Sequence, residues 1–254
     1  MQHAAAGVGL LSLASSPLRA GTAKAAASLK VVCIGAHPDD PETGPGGTLV
    51  KLAAAGHAVT VIYLTRGEAG IPGRSHDEAA AIRTEEALAA CRILRAKPVF
   101  AGQIDGASIF DHQRVAQMDE LIAAEKPDLV FTHWPIDSHQ DHQCASQLTI
   151  QAWTRARTKF DLYFYEVCTG VQTMVFHPTD YVDIADFADL KHKAVNCHVS
   201  QNPAELYDPG VPGNHALMEQ YRGMQMGVKA AEAFVRMAGP GQGARCDPGQ
   251  GASV

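Results

Sequence analysis

Two short stretches of this chain hold most of the residues that could do chemistry. The first, AHPDDPE at 36–42, places His37, Asp39 and Asp40 within four positions. The second, PIDSHQDH at 135–142, contains His139 and His142, which a helical turn would put on one side. Imidazole and carboxylate groups bind divalent metals and act as general bases at neutral pH. If the two stretches meet, the chain has the side chains for a metal-assisted reaction.

Each stretch directly follows a short apolar run that is typical of a buried parallel strand. In a doubly wound sheet ordered 3-2-1-4-5, strands one and four are neighbours, and their carboxyl ends face one crevice. This topology brings His142 next to His37 and Asp40, although they are far apart in the chain. We therefore predict that these three residues bind Zn²⁺ and leave coordination positions open for water and substrate. Fe²⁺ or another divalent metal would suit the same ligands.

The elements that position these residues alternate between strand and helix from 30 to 167. This alternation predicts an α/β fold with a Rossmann-like, doubly wound, mainly parallel sheet in three layers. The predicted strands cover 29–36, 58–65, 98–101, 128–132, 162–167 and 181–184, and the predicted helices cover 48–55, 77–95, 115–125, 141–157, 187–199 and 215–238.

The length of 254 residues allows one sizeable domain, which we place at 29–238. Residues 1–28 include an apolar run of signal-peptide length, but no lysine or arginine precedes Arg19. We expect an export signal without its basic start, which favours an exported or periplasmic protein. A disordered or docked arm on a cytoplasmic protein is the alternative. The run is too short to span a bilayer, and the Gly/Pro-rich segment 239–254 is predicted to be disordered.

Composition narrows the classes of partner. The formal net charge of −6 argues against a broad nucleic-acid surface. The six cysteines form no CxxC pair, so buried free thiols are favoured over a disulfide framework. We expect a small-molecule substrate, no nucleic acid and no transmembrane span, and the sequence is compatible with a homo-oligomer.

Several blocks of the sequence, in order, resemble those of a known family. AHPDDPE, the glycine-rich GPGG at 44–47, TRGEAG at 65–70 and HQDH at 139–142 are similar to the PIG-L/LmbE family of metal-dependent N-acetylglucosaminyl deacetylases. Segments at 193–201 and 222–234 resemble its C-terminal blocks. The resemblance implies an LmbE-like fold over roughly 30–236 and hydrolysis of a linear amide C–N bond. One departure is Pro41, which moves the acidic residue one place on, to Glu42.

The resemblance implies that His37, Asp40 and His142 bind the metal, the same three residues that the topology predicts. It also implies that Asp39 is the general base that takes a proton from metal-bound water. His139 would steady the oxyanion or protonate the leaving amine, and Asp141 would orient a histidine. Side chains of adjacent residues diverge, so Asp39 is free to act as a base while Asp40 binds the ion.

Four further residues are candidates for substrate binding. Arg66 and Arg74 lie in the loop after strand two and could hold sugar hydroxyls or a phosphate, or they are solvated loop residues. Trp134 could stack on a sugar ring or be a half-buried core residue. His198 could approach the site from the C-terminal region or be a buried, satisfied histidine.

The leading hypothesis is a zinc-dependent hydrolase that removes the acetyl group from an N-acetylglucosamine-type amino sugar or a glycoconjugate. A metal-dependent amidase or esterase acting on a non-sugar acyl compound is the alternative, since the same site serves both. A third hypothesis is a nucleotide- or sugar-binding Rossmann module without catalysis. Against it, no GxGxxG follows strand one, and the glycines at 44–47 come too late for a dinucleotide-binding turn.

Overall fold

The computed structural model describes residues 28–156, 160–167, 171–203 and 214–238. The predicted signal-like segment and the predicted C-terminal tail fall almost entirely outside these ranges. In the parts of the chain that the structure describes, no helix combines the length and apolar character needed to cross a membrane.

A seven-stranded sheet in the order β3-β2-β1-β4-β5-β7-β6 forms the centre of the structure. The first five strands along the chain pair in parallel, whereas β7 pairs antiparallel with both β5 and β6. This arrangement confirms the predicted α/β class and the 3-2-1-4-5 order. The strands are β1 (Lys30–Gly35), β2 (Ala58–Tyr63), β3 (Ala96–Phe100), β4 (Leu129–His133), β5 (Asp161–Tyr165), β6 (Asp180–Asp183) and β7 (Ala231–Arg236).

Helices cover both faces of the sheet and complete the predicted three layers. They are α1 (Asp40–Thr43), α2 (Gly46–Ala54), α3 (His76–Leu94), α4 (His112–Glu125), α5 (Gln140–Arg155), α6 (Ala188–Val195) and α7 (His215–Met226), with a 3₁₀ turn at Val199–Gln201.

Strand β1 is apolar because both of its faces are buried. Val31 and Cys33 belong to the core cluster that includes residues of α2, α3 and α6, whereas Val32 and Ile34 belong to the cluster that includes residues of α4 and α5. Successive side chains therefore enter opposite layers, as in a parallel strand buried on both faces. Three of the cysteines, Cys33, Cys91 and Cys144, are buried free thiols, which agrees with the prediction.

The predicted helix at 215–238 is wrong in its second half. Helix α7 ends at Met226, where Gly227 takes a left-handed conformation with φ of 79°. The chain then forms β7, which pairs Phe164 with Val235 on one side and Tyr181 with Ala233 on the other. Alanine and glutamate favour helix in isolation, but here pairing with the edges of β5 and β6 makes this segment a strand.

The registry of the sheet brings the ends of β1 and β4 together. Ile34 is paired with Thr132, and Gly35 is paired with Tyr63 of β2. Helix α1 begins shortly after β1, and α5 begins shortly after β4. The two stretches singled out in the sequence therefore leave neighbouring strands at the same edge.

Candidate active site

The loop after β1 is a tight turn centred on Asp39. This residue has φ of 112°, a conformation that is rare for residues other than glycine. The carboxylate of Glu42 accepts the Asp39 amide hydrogen at 3.2 Å, and the Asp39 carbonyl accepts from the amide of Thr43 at 2.8 Å. Glu42 is fully buried and also accepts the hydroxyl hydrogen of Tyr63 at 2.5 Å. Although Pro41 moves this acidic residue one place along the sequence, Glu42 thus fixes the backbone of Asp39 through a hydrogen bond.

The three predicted metal ligands lie side by side. Asp40 Oδ2 is 3.3 Å from His37 Nδ1, and Asp40 Oδ1 is 3.3 Å from His142 Nε2. Asp40 Oδ2 also accepts the His37 amide hydrogen at 2.7 Å. All three side chains are buried. The carboxylate therefore lies between two imidazoles that come from the ends of different strands.

The surrounding nitrogen and oxygen atoms suit a divalent cation. In each of three overlapping groups, potential ligand atoms lie within 4.8 Å of one another. Nitrogen and oxygen donors of this kind match the preferences of zinc. The predicted ligands are divided among these groups rather than forming one of their own. The groups are His37, His139 and His142; Asp40, His133 and His142; and His37, Asp105, His139 and Asp141.

The electrostatics of this cluster favour bound positive charge. Burial alone would lower the pKa of His37, but hydrogen bonds to Asp105, Asp141 and Asp40 outweigh it and raise the pKa well above 6.5. Burial likewise opposes protonation of His142, yet the charge of Asp40 and a hydrogen bond to Asp137 raise its pKa to about 9. The surrounding carboxylates thus favour positive charge at this centre, which is the charge that a divalent cation would supply.

Asp141 and Asp105 meet the outer edge of His37. Both Asp141 Oδ2 and Asp105 Oδ1 lie 3.1 Å from His37 Nε2. Asp141 also accepts the amide hydrogen of Gly106 at 2.7 Å. This geometry fits the histidine-orienting role that the resemblance implies for Asp141. Sequence reasoning missed Asp105. Parallel strands place the residues that follow their carboxyl ends at one edge of the sheet, and the same argument applied to the loop after β3 could have found it.

His133 and Asp137 support the same centre. His133 Nε2 accepts the amide hydrogen of Ala36 at 3.0 Å and lies 3.2 Å from Asp40 Oδ2. Burial and the positive charge of His142 lower the pKa of His133 to about 4, so its imidazole is neutral. Asp137 lies 3.2 Å from His142 Nδ1 and accepts the amide hydrogen of His139 at 2.8 Å. It therefore contacts a predicted ligand as well as fixing the backbone before α5.

Arg83 of α3 is the other functional residue that sequence reasoning missed. Its Nη2 donates to Asp39 Oδ2 at 2.8 Å and to the carbonyl of Pro38, and its side chain is only 4% exposed. The guanidinium passes so close to Gly70 that a Cβ there would overlap it. The available signal was a charged residue on the apolar stripe of α3, at helical spacing from the buried Ala79 and Ala87.

His139 lies above the predicted ligands. Its ring centroid is 4.6 Å from that of His37 and 4.7 Å from that of His142. Its Nδ1 accepts the amide hydrogen of Asp141 at 3.3 Å. Burial and the positive charges of His37 and His142 lower the pKa of His139, which favours a neutral imidazole with its hydrogen on Nε2.

A cavity of about 600 Å³ opens over this centre. Asp39, Arg83 and His139 line it, together with His215 of α7. Its other lining residues are His37, Asp40, Thr43, Ala69, Gly70, Asp105, Gly106, His142, Val167, Val171, Gln172 and Gln201.

The four candidate substrate-binding residues are not among the described residues that line this cavity. Trp134 packs edge-on against aromatic rings and donates its indole hydrogen to the carbonyl of Met174 at 3.0 Å. His198 is buried, with Nε2 3.6 Å from the carboxylate of Glu42. The placement of Trp134 fits the structural alternative left open by the sequence. Neither ring nitrogen of His198 has a hydrogen-bond partner among the described residues, so its role stays a prediction. Arg66 donates to the hydroxyl of Thr84 at 3.1 Å, and Arg74 is exposed, so their roles stay predictions.

The sequence matches known proteins over this same region. The family model described as "PIG-L: GlcNAc-PI de-N-acetylase" matches residues 32–153. Diacetylchitobiose deacetylase of Thermococcus kodakarensis is 30% identical in an alignment 219 positions long, which covers 81% of this chain and 82% of that protein. The 1D-myo-inositol 2-acetamido-2-deoxy-alpha-D-glucopyranoside deacetylase of Corynebacterium glutamicum is 32% identical over 148 residues, covering 47% and 51% of the two chains.

A solved structure agrees with these matches. N,N'-diacetylchitobiose deacetylase from Pyrococcus horikoshii superimposes with a TM-score of 0.73 at 27% identity, covering 82% of this chain and 84% of that one. The likeness therefore extends beyond the segment that the family model matches. Together with the shared fold and a site suited to a metal, these matches show that the chain is an N-deacetylase, a hydrolase that belongs to the PIG-L family.

Proposed function

We propose that this enzyme removes the acetyl group from an N-acetylglucosamine-type amino sugar or glycoconjugate, with a zinc ion held by His37, Asp40 and His142. The observation that carries this proposal is the convergence of these three side chains at a cavity of about 600 Å³. The names of the relatives support the substrate class, since each of the three describes a deacetylase of an acetylated amino sugar.

The chemistry of amide hydrolysis needs a polarised carbonyl and an activated water. Zinc bound at this site would act as a Lewis acid on the carbonyl and bring the pKa of water to about 7. The protein must then supply a base for the proton and a donor for the oxyanion, and it must hold both in place.

Asp39 is the base in this proposal. Arg83 occupies its Oδ2 at 2.8 Å, so Oδ1 is the oxygen that takes the proton from the attacking water. Burial raises the pKa of Asp39, although the charge of Arg83 opposes the effect. A raised pKa makes the carboxylate a stronger base, and the arginine fixes its orientation.

His139 stabilises the oxyanion. Because its Nδ1 accepts from the amide of Asp141, the ring hydrogen lies on Nε2 and can be donated to the developing negative charge. This tautomer favours the oxyanion role over initial protonation of the leaving amine. Once Asp39 has taken the water proton, its carboxyl group is the acid available to the departing amine.

The substrate class is tested by measuring acetate release from a panel of acetylated compounds by the zinc-loaded protein. The panel contains N,N'-diacetylchitobiose, N-acetylglucosamine glycosides, N-acetyl amino acids and acetate esters. We expect kcat/KM for the best amino sugar to exceed that of the non-sugar compounds by at least about 100-fold, because a site that hydrogen-bonds hydroxyls rejects analogues without them. Preferential hydrolysis of acetyl amino acids or esters would instead establish the amidase or esterase alternative.

A further inference from the structure

A buried ion cluster lies on the side of the site loop that faces the C-terminal layer. Lys191 of α6 is fully buried, and its Nζ lies 2.7 Å from Glu232 Oε1 of β7 and 3.1 Å from Glu219 Oε1 of α7. The same Nζ donates to the carbonyl of Gly44 at 3.0 Å. One ammonium group therefore joins three C-terminal elements to the segment that carries His37 and Asp40, two of the predicted metal ligands.

Glu232 completes the connection at the start of α2. Its two carboxylate oxygens accept the amide hydrogens of Gly47 at 2.8 Å and Thr48 at 2.7 Å. These amides belong to the first turn of the helix, where backbone donors have no partner within the helix. A carboxylate at this end also interacts favourably with the helix dipole. Glu232 thus fixes the point at which the chain enters α2.

Asp40, one of the predicted metal ligands, is hydrogen-bonded to the segment that Lys191 and Glu232 contact. The amide of Gly44 donates to the carbonyl of Asp40 at 2.9 Å, while the Gly44 carbonyl accepts from Lys191. The glycines of this segment are closely packed against their neighbours. A Cβ on Gly46 would lie 3.2 Å from Lys191 Cγ, and a Cβ on Gly44 would lie 2.5 Å from the ring of Tyr165. A shift of the ammonium group would therefore be transmitted to the backbone of Asp40.

We propose that Lys191 and Glu232 are positioning residues for the metal site, which hold Asp40 between the two imidazoles by fixing the segment from Gly44 to Thr48. The proposal rests on the proposed function, in which Asp40 binds the ion. Both residues lie beyond the segment 32–153 that the family model matches. The C-terminal layer thereby becomes part of the machinery that sets the geometry of the site.

The chemistry of the cluster supports this role. Burying an ion pair contributes little net stability compared with apolar side chains of the same volume. A fully buried lysine between two carboxylates is therefore poorly explained by stability alone. Its directional bonds to one carbonyl and two carboxylates fix a geometry that apolar packing would leave adjustable.

The variants Lys191→Met and Glu232→Gln test the proposal, because each keeps nearly the original volume and removes the ion pair. A matched control is Arg222→Met, which breaks another buried pair of the same layer. Arg222 donates to the two oxygens of Glu166 at 2.7 Å each and to Gln225 at 2.8 Å, and none of these bonds involves residues 40–48. The full-length proteins are stripped of metal, and zinc affinity is measured by competition with a chromogenic chelator.

Removing groups that orient metal ligands typically weakens metal affinity by about 10- to 100-fold. We expect that increase in zinc Kd for Lys191→Met and Glu232→Gln, with an altered visible spectrum of the cobalt-substituted protein and a lower kcat at nearly constant KM. Arg222→Met should lower Tm while changing zinc Kd by less than about twofold. Arg222 lines the same small cavity as Gly44 and Glu232, but its hydrogen bonds go to Glu166 and Gln225 rather than to the segment from Gly44 to Thr48.

Unchanged zinc Kd and cobalt spectra in both variants, with only a lower Tm, would overturn the proposal. If Lys191→Met does not fold, Glu232→Gln decides the matter alone, since it retains an oxygen acceptor for α2. If the wild-type protein binds zinc and releases acetate, and the variants have the same zinc Kd, only the positioning role is refuted. Wild-type protein that binds no zinc refutes the proposed function and this inference together.

Discussion

Asp39→Asn is expected to lower kcat by about 10²- to 10⁴-fold while zinc remains bound, the range that a general base contributes. The amide has nearly the same size as the carboxylate and can still accept a hydrogen bond from Arg83, but it cannot take a proton from water. KM should change little, because the loss falls on the chemical step. Steady-state kinetics of acetate release, with zinc content measured on the same samples, checks this expectation.

The exposed Asp77 in the first turn of α3 offers a matched control. Asp77→Asn removes the same charge at an exposed position that does not line the cavity and should leave kcat unchanged. If Asp39→Asn retained kcat within about tenfold of wild type, another group would be the base, because a loss of at least 10²-fold is typical when that group is removed.

His142→Ala is expected to weaken zinc binding by at least about 100-fold and to reduce acetate release to background. Loss of an orienting group alone costs about 10- to 100-fold, and this variant removes a proposed ligand itself. Its imidazole is 2% exposed and lies 3.3 Å from Asp40, so its removal leaves a buried gap beside that carboxylate. Metal content after dialysis and kinetics with added zinc provide the two measurements.

The exposed His177 serves as the control for this variant. His177→Ala removes an imidazole of the same chemistry away from the centre and should retain stoichiometric zinc. Full zinc occupancy in folded His142→Ala, verified by circular dichroism, would show that the ion is held by other residues.

Much of the site's placement could be predicted because two regular patterns act together. The apolar runs at 29–36 and 128–132 mark buried parallel strands, and parallel strands place their carboxyl ends at one edge. The contact of Asp40 with both His37 and His142 is a consequence of that topology. No local pattern was needed beyond the identity of the residues that follow each strand.

What could not be predicted depends on contacts between distant segments. Arg83 reaches Asp39 across 44 positions, and its role is visible only when α3 lies on the sheet. Lys191 is fully buried, whereas a lysine in an amphipathic helix is ordinarily placed at the surface. Strand β7 is set by pairing with β5 and β6 rather than by the preferences of its own residues.

The most direct test of the account is the position of zinc in a crystal, measured by anomalous diffraction at the zinc edge. The account predicts one zinc ion in the site, with a carboxylate oxygen of Asp40 and imidazole nitrogens of His37 and His142 at about 2.0–2.2 Å. An ion coordinated elsewhere, or a zinc-saturated active enzyme with no anomalous peak between these three side chains, would contradict it.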